Sequence, residues 1–483
     1  MGVSILVIDV GTSSVRAAIV RPDATVEHVH RRPLPPDVPM PGLVEFDPAA
    51  MATAALEVAR RALDAGGPAN AVGVTTQRSS AIAWDAGSGE PLGPGLGWQD
   101  LRTVGTCLEL QGEGIRFSPS EAATKFAWLL EQSGADRGTD VKLGTVDSWI
   151  AWNLTNGELH VTDPSNAGVT GLLDHDGRGW RADLSERLGI PAGALPSIVD
   201  SSGDIGAASA LPGAPRLCSL VGDQQASLAG QGCTKPGLAK ATFGTGGMLD
   251  ICTGTTRPDF ATRGGGGCFP IIAWRREGSL TWGVEAIMLA AGSAVDWLVE
   301  DLAILSSPAE SEEVARACDD TGGVVAVPAL LGFGTPQWDF GARGAVFGLT
   351  RGSGRPELVR AVLEGVAHSG ADLLESAEHD SGLRVETLRV DGGMSANSVF
   401  VQALADACDR PVEISRELEA TTLGAGLLAG LAIGMWNGAD DIAATWKPKA
   451  VVEPSGRPSQ RDRWRQATQR AGKWYPELSA LQF

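Results

Sequence analysis

Residues 4–20, SILVIDVGTSSVRAAIV, predict a β-hairpin at the start of the chain. An apolar strand ends at Asp9, a turn of small residues follows, and a second apolar strand completes the hairpin. Glycine and small hydroxyl residues let backbone N–H groups approach a polyanion, so Gly11, Thr12, Ser13 and Arg16 are candidates for a phosphate site. Taken alone, the stretch fits an ordinary tight turn at least as well.

The middle of the chain repeats this pattern. Residues 237–254, GLAKATFGTGGMLDICTG, again place a glycine turn, with Thr245 and Gly246, between two apolar strands. Residues 388–408, LRVDGGMSANSVFVQALADAC, predict a third strand that ends in an acid and glycines, followed by a helix. The repetition predicts two duplicated halves, divided near Gly232 into domains 1–231 and 232–483.

Helical and strand patterns alternate along the rest of the chain, which predicts mixed α/β layers around a cleft. We expect helices over residues 48–63, 122–132, 290–302 and 356–378, with strands at AVGVTT, LCSLVG and GVVAVPAL. The apolar stretch 423–436 is shorter than a membrane span and predicts a core helix with closely packed small residues.

Composition limits the classes of partner. The 483 residues carry a net charge of −19, which disfavours nucleic acid and anionic membrane surfaces. Seven scattered cysteines without a CxxC pair indicate reduced thiols, and the N-terminus lacks a signal peptide. We therefore expect a cytoplasmic protein whose partner is neither nucleic acid nor a membrane.

Two aspartates lie at the carboxyl ends of predicted strands, where ligands gather in open α/β sheets. Asp9 precedes the first glycine turn, and Asp223 lies in residues 220–232, LVGDQQASLAGQG. Each could simply cap a turn or helix. Phosphoryl transfer gives both a role, because one carboxylate can hold Mg²⁺ while another accepts the proton of an attacking hydroxyl.

Several stretches resemble the FGGY carbohydrate kinases, in the order found in that family. They are IDVGTSSVRA, GVTTQRSSAIAWD, GWQDLRT, GTVDSWIAWNLTNGELHVTDPSNAG, VGDQQASLAGQG, FGTGGMLDICTG, VPALLGFGTPQWD, ARGAVFGLTRG, VDGGMSANSVF and TTLGAGLLAGLAIGMW. The resemblance covers nearly the whole chain and is strongest to members that act on glycerol. It implies an actin-like ATPase (ribonuclease H-like) fold, MgATP in the cleft and a polyol or sugar acceptor, in a homo-oligomer (dimer or tetramer).

The resemblance also implies roles for individual residues. Asp223 matches the catalytic base and a metal-associated position, and Asp9 matches the Mg²⁺-associated aspartate. Positions that match acceptor contacts are Arg78, Ser79, Trp98, Asp223, Gln224 and Met248. Positions that match nucleotide or phosphate contacts are Gly11, Thr12, Ser13, Arg16, Thr245, Gly246, Gly292, Gly392, Gly393, Met394 and Asn397.

Three acceptor positions depart from the pattern of the glycerol-specific members. Ser79 stands in place of a glutamate, Met248 in place of an aromatic residue and Ser120 in place of a tyrosine. Fewer polar partners predict weaker glycerol binding and favour a tetritol, a pentitol or a ketose as the alternative acceptor. A catalytically silent homologue and an actin-like or chaperone ATPase are the other two alternatives.

Overall fold

The structure is a computed structural model and describes residues 2–134, 141–417 and 419–481. Its main feature is a mixed sheet of thirteen strands in the order β21-β20-β19-β13-β14-β16-β15-β11-β12-β5-β1-β2-β3. The strands are β1 (Ile5–Val10), β2 (Ser14–Val20), β3 (Val26–Pro33), β4 (Glu45–Phe46), β5 (Ala71–Thr76), β6 (Ala81–Asp85), β7 (Gly95–Leu96), β8 (Val141–Thr145), β9 (Val161–Thr162), β10 (Ser197–Ile198), β11 (Ser202–Ala207), β12 (Arg216–Gly222), β13 (Ala239–Phe243), β14 (Gly247–Gly254), β15 (Phe269–Arg276), β16 (Ser279–Met288), β17 (Val325–Val327), β18 (Ala345–Phe347), β19 (Leu388–Asp391), β20 (Val412–Ser415) and β21 (Pro448–Val452).

Helices cover the sheet and connect its strands. They are α1 (Pro48–Gly66), α2 (Val104–Gly112), α3 (Ala123–Ser133), α4 (Val146–Leu154), α5 (Pro164–Gly168), α6 (Ala182–Arg187), α7 (Asp223–Gly230), α8 (Gly292–Glu300), α9 (Glu310–Arg316), α10 (Arg355–Ser381), α11 (Ser398–Cys408), α12 (Ala420–Ala432), α13 (Ala439–Thr445), α14 (Arg461–Ala471) and α15 (Pro476–Ser479). Two 3₁₀ turns lie at Ala192–Ala194 and Gly393–Ala396.

The two halves of the large sheet repeat one topology. In the first half, β1, β2 and β3 form an antiparallel meander, and β5 and β12 extend the sheet parallel to β1. In the second half, β13, β14 and β16 form the meander, and β19 and β20 lie parallel to β13. The predicted duplication is therefore confirmed, and the predicted boundary near Gly232 stays a prediction.

Local sequence explains how α1 forms and packs. Asp47 caps the helix by accepting a hydrogen bond from the N–H of Ala50, and Pro48 occupies the first turn, where its missing N–H costs nothing. Met51, Ala55 and Val58 repeat at helical spacing and are buried against the sheet. This helix covers one face of the first half and shields β1 and β2 from solvent.

Small residues bring α7 and α12 into backbone contact. A Cβ atom on Gly230 would lie 1.9 Å from the carbonyl oxygen of Ala420, and one on Gly424 would lie 1.7 Å from that of Ala226. No larger residue fits at either position. The prediction that residues 423–436 form a core helix with close packing is confirmed for α12, which reaches Ala432.

Other local predictions agree with the structure within a few residues at element ends. Strand β5 coincides with AVGVTT, whereas the strand expected within GVVAVPAL is limited to β17. The helix predicted after the third strand is α11, and Asn397 caps it. Within the described ranges, no helix combines the length and the apolar character that crossing a bilayer requires.

Candidate active site

The first hairpin presents a charged pair next to its turn. Asp9 and Arg16 are direct partners in β1 and β2, with Nε of Arg16 3.4 Å from Oδ2 of Asp9. Thr422, in the first turn of α12, donates to the same oxygen at 3.1 Å, and Arg16 also pairs with Glu419. Burial raises the pKa of Asp9 to about 6, although Arg16 opposes the shift. This carboxylate is therefore costly to ionise without a further cation.

Asp223 begins α7 directly after β12, at the carboxyl edge of the sheet. Its side chain is 31% exposed, and its Oδ1 accepts a hydrogen bond from the N–H of Gln224 at 2.8 Å. Partial desolvation by the surrounding protein raises its pKa, while Arg78 and Lys240 act in the opposite direction. A partly exposed carboxylate with one oxygen held by the backbone can accept a proton at the other.

Arg78 connects Asp223 with the second half of the molecule. Its Nε lies 3.4 Å from Oδ1 of Asp223, and its Nη2 donates to Oε2 of Glu285 at 2.7 Å. The third nitrogen, Nη1, is buried and has no hydrogen-bond partner within the described residues. An unpaired buried donor costs free energy, and the hydroxyl of a bound molecule would remove that cost.

Trp98 and Gln224 are two further predicted acceptor contacts near this group. The indole N–H of Trp98 donates to Oγ1 of Thr12 at 3.2 Å, which brings a predicted acceptor contact against the first turn. Gln224 accepts a hydrogen bond from Nζ of Lys240 at 2.6 Å. The structure thus brings together Asp9, Thr12, Arg16, Arg78, Trp98, Asp223 and Gln224.

The three altered acceptor positions offer little new polarity. Ser79 has a positive φ of 63° and donates its hydroxyl to the carbonyl of Val169 at 3.0 Å. The hydroxyl of Ser120 lies 2.8 Å from that of Ser118. Met248 points to the same face of β14 as Asp250, from the rung opposite Thr242. None of the three side chains carries a charge.

The second hairpin lies against the start of α8. The N–H groups of Ala291 and Gly292 donate to the carbonyls of Thr245 and Gly244, each at 2.8 Å. A Cβ on Gly246 would lie 2.9 Å from the carbonyl of Met288, and one on Gly292 2.6 Å from that of Gly244. These glycines are therefore required for close backbone packing, whether or not a nucleotide contacts them.

The two glycines of the Gly392-Gly393 turn differ in their surroundings. Gly392 has φ of 86°, and a Cβ there would lie 2.4 Å from the carbonyl of Phe243, so the fold requires glycine. A Cβ on Gly393 would have no atom of the described residues within 4 Å, which leaves its backbone open to a ligand. Met394 packs in the core of the second half.

Asn397 accepts hydrogen bonds from the N–H groups of Val399 and Phe400 and donates one to Ser311, so its amide is committed within the protein. Its contact with a nucleotide stays a prediction.

Three charged residues next to this site were missed from sequence. Lys240, Asp250 and Glu285 are direct neighbours across β13, β14 and β16, and all three are buried. Each lies inside an otherwise apolar strand, and a charge in such a strand needs a buried partner. A charged residue within an apolar strand is therefore the sequence feature that could have identified these three residues.

Asp9 and Asp223 fit a magnesium ion by the chemistry of their oxygens. The two carboxylates lie close enough for the charge of Asp223 to raise the pKa of Asp9. Mg²⁺ commonly takes one or two protein carboxylates, with phosphate and water oxygens completing its shell. Within the described part of the chain, no group of three or more acidic, histidine or cysteine side chains forms a complete metal site.

Comparison with known proteins identifies two matching family models. The model of the N-terminal domain of the FGGY family of carbohydrate kinases matches residues 4–215, and that of the C-terminal domain matches residues 240–433. Glycerol kinase of Aromatoleum aromaticum is 38% identical, over 97% of this chain and 99% of that protein. Glycerol kinase 2 of Thermotoga maritima is also 38% identical, over 97% and 99%.

Solved structures agree in fold. The crystal structure of Plasmodium falciparum glycerol kinase with ADP matches with a TM-score of 0.89 and 26% identity, covering 100% of both chains. A xyloylose kinase from Brucella ovis matches with a TM-score of 0.84 and 26% identity, covering 99% of both chains. The predicted two-domain α/β, actin-like ATPase fold is confirmed by these matches.

Proposed function

The chain belongs to the FGGY family of carbohydrate kinases, and we propose that it transfers the γ-phosphate of MgATP to a hydroxyl of glycerol or a related polyol. Its relatives named glycerol kinase support the acceptor, and the relative solved with ADP supports the nucleotide. One observation carries the proposal: among the described residues, a buried nitrogen of Arg78 has no hydrogen-bond partner, and it lies beside Asp223, whose side chain is 31% exposed.

In this proposal Arg78 donates to hydroxyls of the acceptor, and the indole face of Trp98 covers its C–H side. Asp223 accepts the proton of the hydroxyl that attacks the terminal phosphorus. Arg16 and the backbone of the two hairpins stabilise the phosphate charge as it shifts. Closure of the halves excludes water, which would otherwise compete with the acceptor.

Asp9 and Asp223 would hold Mg²⁺, directly or through water, and the ion would neutralise charge on the phosphate oxygens. Thr422 and Arg16 keep the Asp9 carboxylate in place at the end of β1. The desolvated carboxylate gains a cation in this way, which offsets the cost of its burial.

The Asp223→Asn variant tests the proposed base. It removes the proton acceptor and keeps the size of the side chain, so we expect turnover to fall by at least about a thousandfold while ADP binding is retained. ADP release is measured with glycerol present, and ADP affinity by calorimetry. Asp204→Asn, a change of the same kind at a side chain that is 63% exposed, is the matched control. Near-normal turnover of Asp223→Asn would refute the assignment.

A larger acceptor is a second candidate, favoured by the uncharged side chains of Ser79, Ser120 and Met248. ADP release with glycerol, erythritol, xylulose and gluconate ranks the acceptors. ATP hydrolysis at the same rate without any polyol would indicate an ATPase, and nucleotide binding without turnover a silent homologue. The dimer or tetramer and the cytoplasmic location stay predictions.

A further inference from the structure

Lys240, Asp250 and Glu285 form what we call the charged ladder, a row of three side chains across the sheet of the second half. Lys240 is opposite Asp250 in β13 and β14, and Asp250 is opposite Glu285 in β14 and β16. Side chains that are opposite each other in antiparallel strands point to the same face. The ladder therefore presents all three charges to one side of the sheet.

Each end of the ladder holds one residue of the first half. At one end, Glu285 accepts from Nη2 of Arg78 at 2.7 Å. At the other, Nζ of Lys240 donates to Oε1 of Gln224 at 2.6 Å and lies 2.8 Å from Oδ2 of Asp250. Arg78 and Gln224 flank Asp223, so the ladder contacts both neighbours of the proposed base.

Stability alone does not account for these charges. Burying an ion pair costs desolvation free energy, and well-packed apolar residues often serve a core as well or better. Lys240 and Asp250 have fully buried side chains, and that of Glu285 is 5% exposed. If the ladder served only stability, we would expect apolar residues at its three positions, as at neighbouring positions in the same strands.

Glu285 also competes with Asp223 for the guanidinium of Arg78. The Arg78–Glu285 contact is the shorter one, 2.7 Å against 3.4 Å for Arg78–Asp223. Without the Glu285 charge, Asp223 would become the preferred partner of Arg78. The guanidinium would then cover the carboxylate that has to face the acceptor.

We propose that Glu285 and Lys240 are positioning residues, which hold Arg78 and Gln224 in the arrangement that binds the acceptor, with Asp250 balancing the charge of Lys240. This inference rests on the proposed function. It assigns acceptor binding partly to the second half, whose glycine turns are expected to bind the nucleotide. The ladder thus affects the affinity for acceptor far more than the affinity for nucleotide.

The Glu285→Gln variant separates this role from a structural one. It keeps the shape of the side chain and removes the charge that attracts Arg78. We expect the KM for glycerol to rise at least about tenfold, the KM for ATP to change less than twofold, and kcat to fall. The affinity for glycerol, measured by calorimetry, should fall in parallel. Glu285→Asp retains the charge on a shorter side chain and should restore part of the affinity.

Glu378→Gln is the matched control, because Glu378 also pairs with an arginine, Arg410, in the second half but outside the site. It should leave both KM values unchanged. If Glu285→Gln does not fold, Glu285→Asp is compared with wild type by the same measurements, because its shorter side chain keeps the charge but weakens the contact with Arg78. Equal rises in both KM values, or an unchanged KM for glycerol, would overturn the proposal. A wild-type protein that phosphorylates no polyol would instead refute the proposed function.

Discussion

The two glycine hairpins share one design, but they place their charged pair at different depths. In the first hairpin, Asp9 and Arg16 form the second pair of residues from the turn. In the second hairpin, Lys240 and Asp250 form the fourth pair, after Thr242 with Met248 and Ala241 with Leu249. The charges therefore approach the cleft in one half and remain inside the sheet in the other.

Exposure follows this difference in depth. The Arg16 side chain is 24% exposed and that of Asp9 is 5% exposed, whereas those of Lys240 and Asp250 are both fully buried. A charge near the turn can meet a phosphate or a metal, and one deep in the sheet can act only through protein neighbours. We therefore expect the same supersecondary unit to contact ligands in the first half and, in the second half, to support side chains that belong to the first.

The largest effect is expected from breaking the deep pair. Lys240→Met leaves Asp250 buried without its cation and should lower the free energy of unfolding by about 3 to 5 kcal/mol. Adding Asp250→Leu should recover most of this loss, because both charges are then gone. Urea denaturation of the two single variants and the double variant measures the coupling. Additive losses would show that the pair does not act as a unit.

A smaller, pH-dependent effect is expected at the first hairpin. The pKa of Asp9 is raised from 3.8 to about 6 by burial, so the folded protein binds this proton more tightly than the unfolded chain does. The contribution of this proton to the free energy of unfolding is present below pH 4 and is lost as the pH rises to about 6. In buffer free of divalent cations at pH 7, Asp9→Asn should be more stable by about 2 to 3 kcal/mol, and less active.

Thermal unfolding of wild type and Asp9→Asn between pH 4.5 and pH 8 measures this difference. The gain should shrink towards the acidic end of that range, where Asp9 is protonated in the folded protein. A difference in stability between the two proteins that is constant with pH would contradict the raised pKa of Asp9. It would indicate a change in packing instead.

The smallest effect is expected within the turn of the second hairpin. A Cβ on Gly246 would lie 2.9 Å from a backbone oxygen, whereas one on Gly244 has its nearest neighbour at 4.0 Å. Gly246→Ala should therefore destabilise the protein by about 1 to 2 kcal/mol, and Gly244→Ala should be neutral or slightly stabilising. Melting temperatures of the two variants compare them directly, and equal values would refute the steric argument.

Much of the architecture was predictable from sequence because its signals are local. Apolar strands with small-residue turns indicated both hairpins, and the repetition indicated the duplicated topology. Asp9 and Asp223 stood out because each follows or ends a strand, a position that depends on neighbouring residues alone. Arg78 contacts Asp223, and the roles that the family resemblance implied for both stay predictions.

The charged ladder could not be derived in that way. Lys240, Asp250 and Glu285 meet only because three strands pair in one register, and register depends on the whole sheet. Arg78 reaches Glu285 across 207 positions of sequence, and only the packing of one half on the other brings them within 2.7 Å. Local pattern determined which residues could do chemistry, and tertiary structure decided which of them stand together, because burial and pairing depend on distant parts of the chain.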